Sequence, residues 1–153
     1  MTGTPIFLIS RRPVVKVSEV MHVGAIWIDP DAPLFDVAAR MDRENIGALP
    51  VGEDDRIIGM VTDRDIVVRG FGCLSDPLHL TARDVMSQPV TYCTTNEELD
   101  DAVRLMERKQ IRRLPVMDEH RRMVGMLSLG DVAAKAPASL AAETLRAVSA
   151  HHS

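Results

Sequence analysis

The chain has 153 residues, of which 46% are hydrophobic and 26% charged, enough for one ordinary domain or two very small ones and too apolar for disorder. A net charge of −4 gives no electrostatic drive toward nucleic acid, and aromatic residues at 3% leave few platforms for base stacking. No apolar run approaches the ~20 residues of a membrane span, and Cys73 and Cys93 lie in no metal-ligand spacing and are too few to staple a small fold. A protein of the reducing cytoplasm is the expectation.

Residues 1–16, opening "MTGTPIFLISRRP", place their charges after a short apolar stretch instead of before a long one, and read as a leader and not as a secretory signal. From there the chain is written twice. Val20, Met21, Leu34, Asp36, Met41, Arg43, Ile46, Leu49, Pro50 and Val51 recur 65 positions later as Val85, Met86, Leu99, Asp101, Met106, Arg108, Ile111, Leu114, Pro115 and Val116. One extra residue in the second copy then carries Gly59, Met60 and Asp65 onto Gly125, Met126 and Asp131. The copies span 17–71 and 82–136, with a linker at 72–81.

Each copy parses alike. A short capped turn opens it, Thr81 with Asp84 in the second copy and Ser18 with Met21 in the first. The β-rich "AIWI" at 25–28 and "VTYC" at 90–93 read as first strands. Helices follow, with Asp31 and Asn96 as N-caps and apolar stripes of Leu34, Val37, Ala38, Met41 and of Leu99, Ala102, Val103, Met106. "IGALPV" and "IRRLPV" predict a second strand whose proline suggests an edge or a strand start. A polar turn and "IIGMV" or "MVGML" complete a hairpin, and a second helix follows from Asp65 or Asp131. The unit is β-α-β-β-α, an α/β (α+β) arrangement. At roughly 55 to 60 residues neither copy buries much core alone, so the two should pack on each other. Beyond Pro137, Ser139 can cap a helix with Leu140, Ala141, Leu145 and Val148 on one side, suited to docking on its own body or on a partner; His151 and His152 read as a frayed tail.

The repeated Thr62-x-x-Asp65 and Ser128-x-x-Asp131 admit two readings. As capping boxes they satisfy orphan amides at a helix start, each worth ~1 kcal/mol. As ligand groups they combine a hydroxyl near helix-terminal amides, suited to phosphate, with an aspartate whose shorter reach leaves its carboxylate freer for a diol. Gly59 and Gly125 allow another group to approach the backbone. Met60 and Met126 read first as core, although a flexible thioether also packs well against a purine.

The pattern "SEVM…IGALPV…IGMVTDRDIV" with "RDVM…IRRLPV…VGMLSLGDV" resembles a tandem pair of CBS domains, a Bateman module, over about residues 17–134. It is further similar to stand-alone bacterial two-repeat proteins of the hypoxic response protein type. The resemblance implies two repeats packed with pseudo-twofold symmetry into one module, a cleft that takes an adenosine nucleotide, and a homodimer. It implies two composite sites. One joins Met60, Thr62, Arg64 and Asp65 to Thr91 and Ile111; the other joins Met126, Ser128 and Asp131 to Ile26 and Ile46, with Arg112 and Arg113 facing phosphate. The first copy departs from that pattern, having Gly47 and Ala48 where the second has the arginines, with Arg64 as the substitute. Alternation along a strand puts Arg112 and Arg113 on opposite faces, so at most one reaches a given phosphate directly.

The expected function is a non-catalytic sensor of AMP, ADP or ATP that alters a dimer or partner interface, with an unidentified downstream protein and neither nucleic acid nor membrane as partner. A ligand-free dimeric scaffold is the alternative. Catalysis is not expected: His22, His79 and His120 fall in separate turns or linkers, no nucleophile has a sequence-visible base, and neither cofactor nor metal site is legible.

Overall fold

A computed structural model describes residues 13–72 and 76–149, which leaves Cys73, His151 and His152 outside the described residues. The elements run α1 (Val17–Val20), β1 (His22–Val23), α2 (Leu34–Glu44), β2 (Ala48–Glu53), β3 (Arg56–Thr62) and α3 (Asp63–Asp65), continued by a π-helical turn (Ile66–Phe71). After a short 3-10 turn (Pro77–His79) come α4 (Ala82–Val85), β4 (Cys93–Thr94), α5 (Leu99–Lys109), β5 (Arg113–Met117), β6 (Met123–Ser128), α6 (Leu129–Lys135) and α7 (Ala138–Ser149).

Strand pairing makes the duplication visible. One sheet has the order β1-β6-β5-β4, with β4 parallel to β5 and the other pairs antiparallel. In the other, β2 and β3 pair antiparallel, and isolated bridges Met60↔Ser87 and Ile28↔Val51 stand where β1 and β4 stand in the first. The predicted strands at 25–28 and 90–93 are therefore corrected to one bridging residue, Ile28, and to the pair Cys93–Thr94. Gly24–Trp27 and 90–92 are irregular.

Pro115 is at neither an edge nor a strand start, whereas Pro50 does lie in an edge strand, β2, whose outer side meets only the Ile28 bridge. Pro115 lies inside β5, an interior strand, and Pro50 inside β2. Each is tolerated because the neighbour on that side joins without needing its missing N–H. Ile28 donates to the Pro50 carbonyl at 2.9 Å and accepts from Gly52 at 3.0 Å, while β4 begins opposite Val116, after Pro115.

α2 and α5 end alike, with Asn45 and Gln110 in the left-handed conformation at φ 52° and 53°. Their starts correct the expected caps: Pro33 and Glu98, not Asp31 and Asn96, occupy the cap positions. No capping side chain is needed because the Leu34 amide donates to the Leu80 carbonyl at 3.0 Å and the Leu99 amide to Val15 at 2.7 Å. Both acceptors come from the segment that opens the other repeat.

That exchange organises the core. Val17 and Val20 of α1 are buried among Leu99, Met106, Leu114, Leu127 and Val132, all of the second repeat. Ala82 and Val85 of α4 are buried among Leu34, Val37, Leu49, Val61 and Ile66, all of the first. Each opening helix is held by a cation from its host. Arg69 donates to the Val85 and Met86 carbonyls at 3.2 and 2.8 Å, and Lys135 to the Val20 carbonyl at 3.4 Å. Helix C-termini favour such positive charge. The α4 turn is capped as expected, the Thr81 amide donating to Asp84 at 2.8 Å. In α1, however, Lys16 holds the cap position and its amide donates to Glu19 at 2.6 Å, while Ser18 lies within the helix.

α7 packs on α5 and α6 of its own chain, burying Leu140, Ala141 and Thr144. Leu145, predicted on that side, is 44% exposed, and the helix starts at Ala138 with the Pro137 carbonyl accepting from Leu140 and Ala141, so Ser139 is not its cap. α2 has no counterpart of α7 among the described residues, and Ala38 is exposed where its equivalent Val103 is buried.

Candidate functional site

β3 and β6 each end on the repeated motif, and the turn that follows is a closed capping box. The Thr62 amide donates to Asp65 Oδ2 at 2.9 Å while the Asp65 amide donates to Thr62 Oγ1 at 3.1 Å. Ser128 and Asp131 do the same at 2.9 and 3.1 Å, and Ser128 Oγ adds a bond of 2.8 Å to Asp131 Oδ2. The capping-box reading therefore holds in both copies, and the expectation that aspartate's shorter reach leaves its carboxylate freer is corrected for Oδ2. Its carboxylate closes the box, and the N3 amide is engaged by the hydroxyl.

One oxygen of each carboxylate remains available for further bonds. At Asp65 it is already met by the other half: Ser87 Oγ donates to Oδ1 at 3.2 Å and lies 3.4 Å from Oδ2. Ser87 is fixed there by two backbone bonds with Met60, 3.2 and 2.8 Å, and by Gln88 Nε2 donating to the Ile58 carbonyl at 2.8 Å. The composite character of the first turn is thus a direct contact. Sequence reasoning missed Ser87, although the same 65-residue shift that aligns Met21 with Met86 aligns His22 with Ser87. His22 is correspondingly not in a turn or linker but in β1, opposite Met126.

Gly59 and Gly125 do admit a close approach, and the group that approaches is protein. A Cβ on Gly59 would lie 2.5 Å from Met86 Sδ, and one on Gly125 2.4 Å from the His22 carbonyl oxygen. The glycines therefore admit the exchanged segments.

Alternation assigns faces. Along β6, Gly125 and Leu127 are buried while Met126 and Ser128 are half-buried, and the register sets Ser128 opposite Arg113 and Met126 opposite Pro115. Arg113 therefore shares the accessible face with Ser128, whereas Arg112 precedes the strand, is exposed, and its carbonyl accepts from Leu129 at 2.9 Å. In the first half Ala48 stands opposite Thr62, and Met60 and Thr62 share the half-buried face. Met60 and Met126 belong to neither buried cluster. Arg64 is exposed, its amide donating to Asp63 Oδ1 at 2.8 Å.

The remaining predicted residues are less tightly drawn in. Ile111 and Ile46 pack against the cores of their own halves, Ile26 is 37% exposed and Thr91 half-buried. No hydrogen bond among the described residues ties Thr91 to the Thr62 turn or Ile26 to the Ser128 turn. A cavity of about 680 Å³ lies elsewhere, between the turns of the two hairpins, lined among others by Asp54, Arg56, Tyr92, Thr95, Asp118 and Arg122. An apolar hollow of about 370 Å³ adjoins it through Ile57, Tyr92 and Met117. None of the predicted site residues lines either. Acids and bases alternate there and pair locally, as Asp118 does with Arg122 at 3.0 Å; bonds from the Arg122 backbone first, and then from His120, hold the Asp118 carboxyl below its ordinary range.

Among the described residues no three His, Cys, Asp or Glu side chains are grouped to hold a metal ion, and no helix is long and apolar enough to cross a membrane.

Comparison with known proteins gives a family match. The CBS domain pattern matches residues 17–70 and 82–137. Hypoxic response protein 1 of Mycobacterium tuberculosis is 34% identical over 131 residues, covering 85% of this chain and 91% of that one. The crystal structure of Hypoxic Response Protein I with two coordinated zinc ions superposes with a TM-score of 0.73 at 35% identity, covering 80% of this chain and all of that one. The structure of CBSX2 in complex with AMP gives a TM-score of 0.70 at 25% identity, covering 78% and 93%.

Proposed function

The chain belongs to the CBS-domain family, and from that premise we propose that it is a non-catalytic cytoplasmic sensor that binds an adenosine nucleotide between its two repeats. The observation that carries this reading is the doubled hydroxyl–carboxylate turn: each half ends an accessible sheet face on it, and at Asp65 the opposite half reaches the same carboxylate through Ser87. A ribose diol would bond to Asp65 or Asp131, Met60 or Met126 would pack on the purine, and Arg113, with Arg112 beside it, would meet phosphate at the second site. Thr91 with Ile111, and Ile26 with Ile46, would complete the two clefts, with Arg64 the cation of the first. The AMP held by the similar CBSX2 supports the choice of ligand class.

Burial of ~150 Å² of adenine contributes ~4 kcal/mol, and each charge-assisted bond to ribose or phosphate ~1.5 to 3 kcal/mol. Association costs ~4 kcal/mol or more, which leaves affinity in the micromolar to millimolar range suited to sensing.

The output surface in this reading is on the first half. Phe35, Val67, Val68 and Phe71 are each more than half exposed, on α2 and the turn after α3, while the corresponding side of the second half carries α7. Exposed apolar side chains grouped in this way suit a homodimer contact or a downstream protein.

The closed capping boxes favour the second reading, a scaffold without ligand. Calorimetric titration with AMP, ADP and ATP separates the two. We expect saturable binding below a few millimolar, weakened at least tenfold in Asp65→Asn or Asp131→Asn, which keep an oxygen acceptor for the cap and lose the charge. Absence of heat at millimolar nucleotide would leave the scaffold.

A further inference from the structure

We infer that His22 gives the second site a pH-dependent hold on an anionic ligand that the first, with Ser87 in the same place, lacks; this rests on the nucleotide reading above. In β1–β6 pairing His22 lies opposite Met126, as Ser87 lies opposite Met60 in the other half. Residues directly opposite in a sheet project to the same side. His22 therefore shares the accessible face of Met126, Ser128 and Arg113, and the aspartate that closes the Ser128 turn is Asp131. The same places in the first half hold Ser87, Met60, Thr62 and Ala48, with Asp65.

The two faces thus offer different chemistry. At the first, a neutral hydroxyl donates to the carboxylate and the position opposite Thr62 is an alanine. At the second, an exposed imidazole replaces the hydroxyl and an arginine replaces the alanine. The charged groups from the elements around His22 are Asp131 and Lys135 of α6, Arg113 of β5 and Arg112 just before it; Lys135 Nζ donates to the Val20 carbonyl, two residues before His22. Imidazole changes charge between about pH 5 and 8. Protonated, it adds a cation on the β1 side of β6, across that strand from Arg113, and favours a phosphorylated nucleoside; neutral, it leaves Arg113 as the cation of the face. The first site, with Arg64 as its cation, carries the neutral Ser87 hydroxyl in the place of the imidazole.

A bound anion favours the protonated ring, so the added affinity is complete at low pH and is lost as pH rises. Titrating AMP in the Asp65→Asn background, which silences the first site, with and without His22→Ser, reads this directly. Taking the ratio of the two affinities at each pH cancels the ionisation of the phosphate itself. We expect that ratio to fall about three- to tenfold from about pH 5.5 to about pH 8, and to stay flat for adenosine. A flat ratio for AMP overturns the role of His22 while leaving the nucleotide reading intact. Failure of the unmodified protein to bind AMP at all overturns the nucleotide reading and the inference with it. The serine variant places at position 22 the residue that its counterpart already carries in the folded first half.

Discussion

Cys93 shows how a single residue's chemistry is set by its surroundings. It is fully buried, its Sγ lies 3.8 Å from the Pro115 carbonyl, and burial first, then the charge of Glu97, pushes its thiol from the ordinary 9.0 up to about 12. A thiol reacts as thiolate, so Cys93 should be inert. In a Cys73→Ser variant we expect no alkylation by iodoacetamide near neutral pH until denaturant is added; alkylation of the native protein at the rate of a free thiol would contradict the burial. The folded form binds this proton more tightly than the unfolded chain does. Its contribution to stability is therefore complete below about pH 9 and declines as pH rises toward about 12. At the same scale, the motif residues Thr62, Asp65, Ser128 and Asp131 were legible from spacing alone, because capping geometry is local. Ser87 and His22 were not, because their partners lie on strands of the other half, at a register that no local pattern contains.

Among elements, those with a strong internal period matched expectation and those defined by pairing did not. α5 follows its apolar stripe and α2 does so except at the exposed Ala38, and the hairpin of β2 and β3 turns through Asp54 and Asp55, both at positive φ. β1 and β4 have two residues each, and their limits are set by where a neighbour offers backbone groups rather than by their own composition. The glycines at the strand crossings measure how tightly such pairing is packed. A Cβ at Gly125 meets the His22 backbone oxygen at 2.4 Å, whereas at Gly59 it meets the thioether and side-chain carbons of Met86. Backbone moves only with its strand, while a methionine side chain can swing aside. We expect Gly125→Ala to cost about 1 to 3 kcal/mol and Gly59→Ala less, measured by urea denaturation. Equal costs would mean that β1 yields as easily as a side chain.

At the scale of the molecule, each half completes its core with a helix from the other, Val17 and Val20 in one direction and Ala82 and Val85 in the other. Neither half can then unfold without exposing apolar surface of its mate. We expect one cooperative transition in urea, with the fluorescence of Trp27, the single tryptophan, coinciding with loss of helical circular dichroism across the chain. Two separated transitions would show the halves to be independent. Legible in the order of residues alone were the duplicated β-α-β-β-α unit, the places of its main helices and hairpins, and the turns that carry a hydroxyl and a carboxylate, since periodicity, turn chemistry and internal repetition are written along the chain. It took the three-dimensional arrangement to reveal that the opening helices change places, that the glycines admit protein backbone and side chain, that Ser87 reaches the Asp65 carboxylate, and that His22 lies opposite Met126. Those outcomes depend on contacts between residues tens of positions apart, which follow from how each half's apolar core is covered by the helix that the other half contributes.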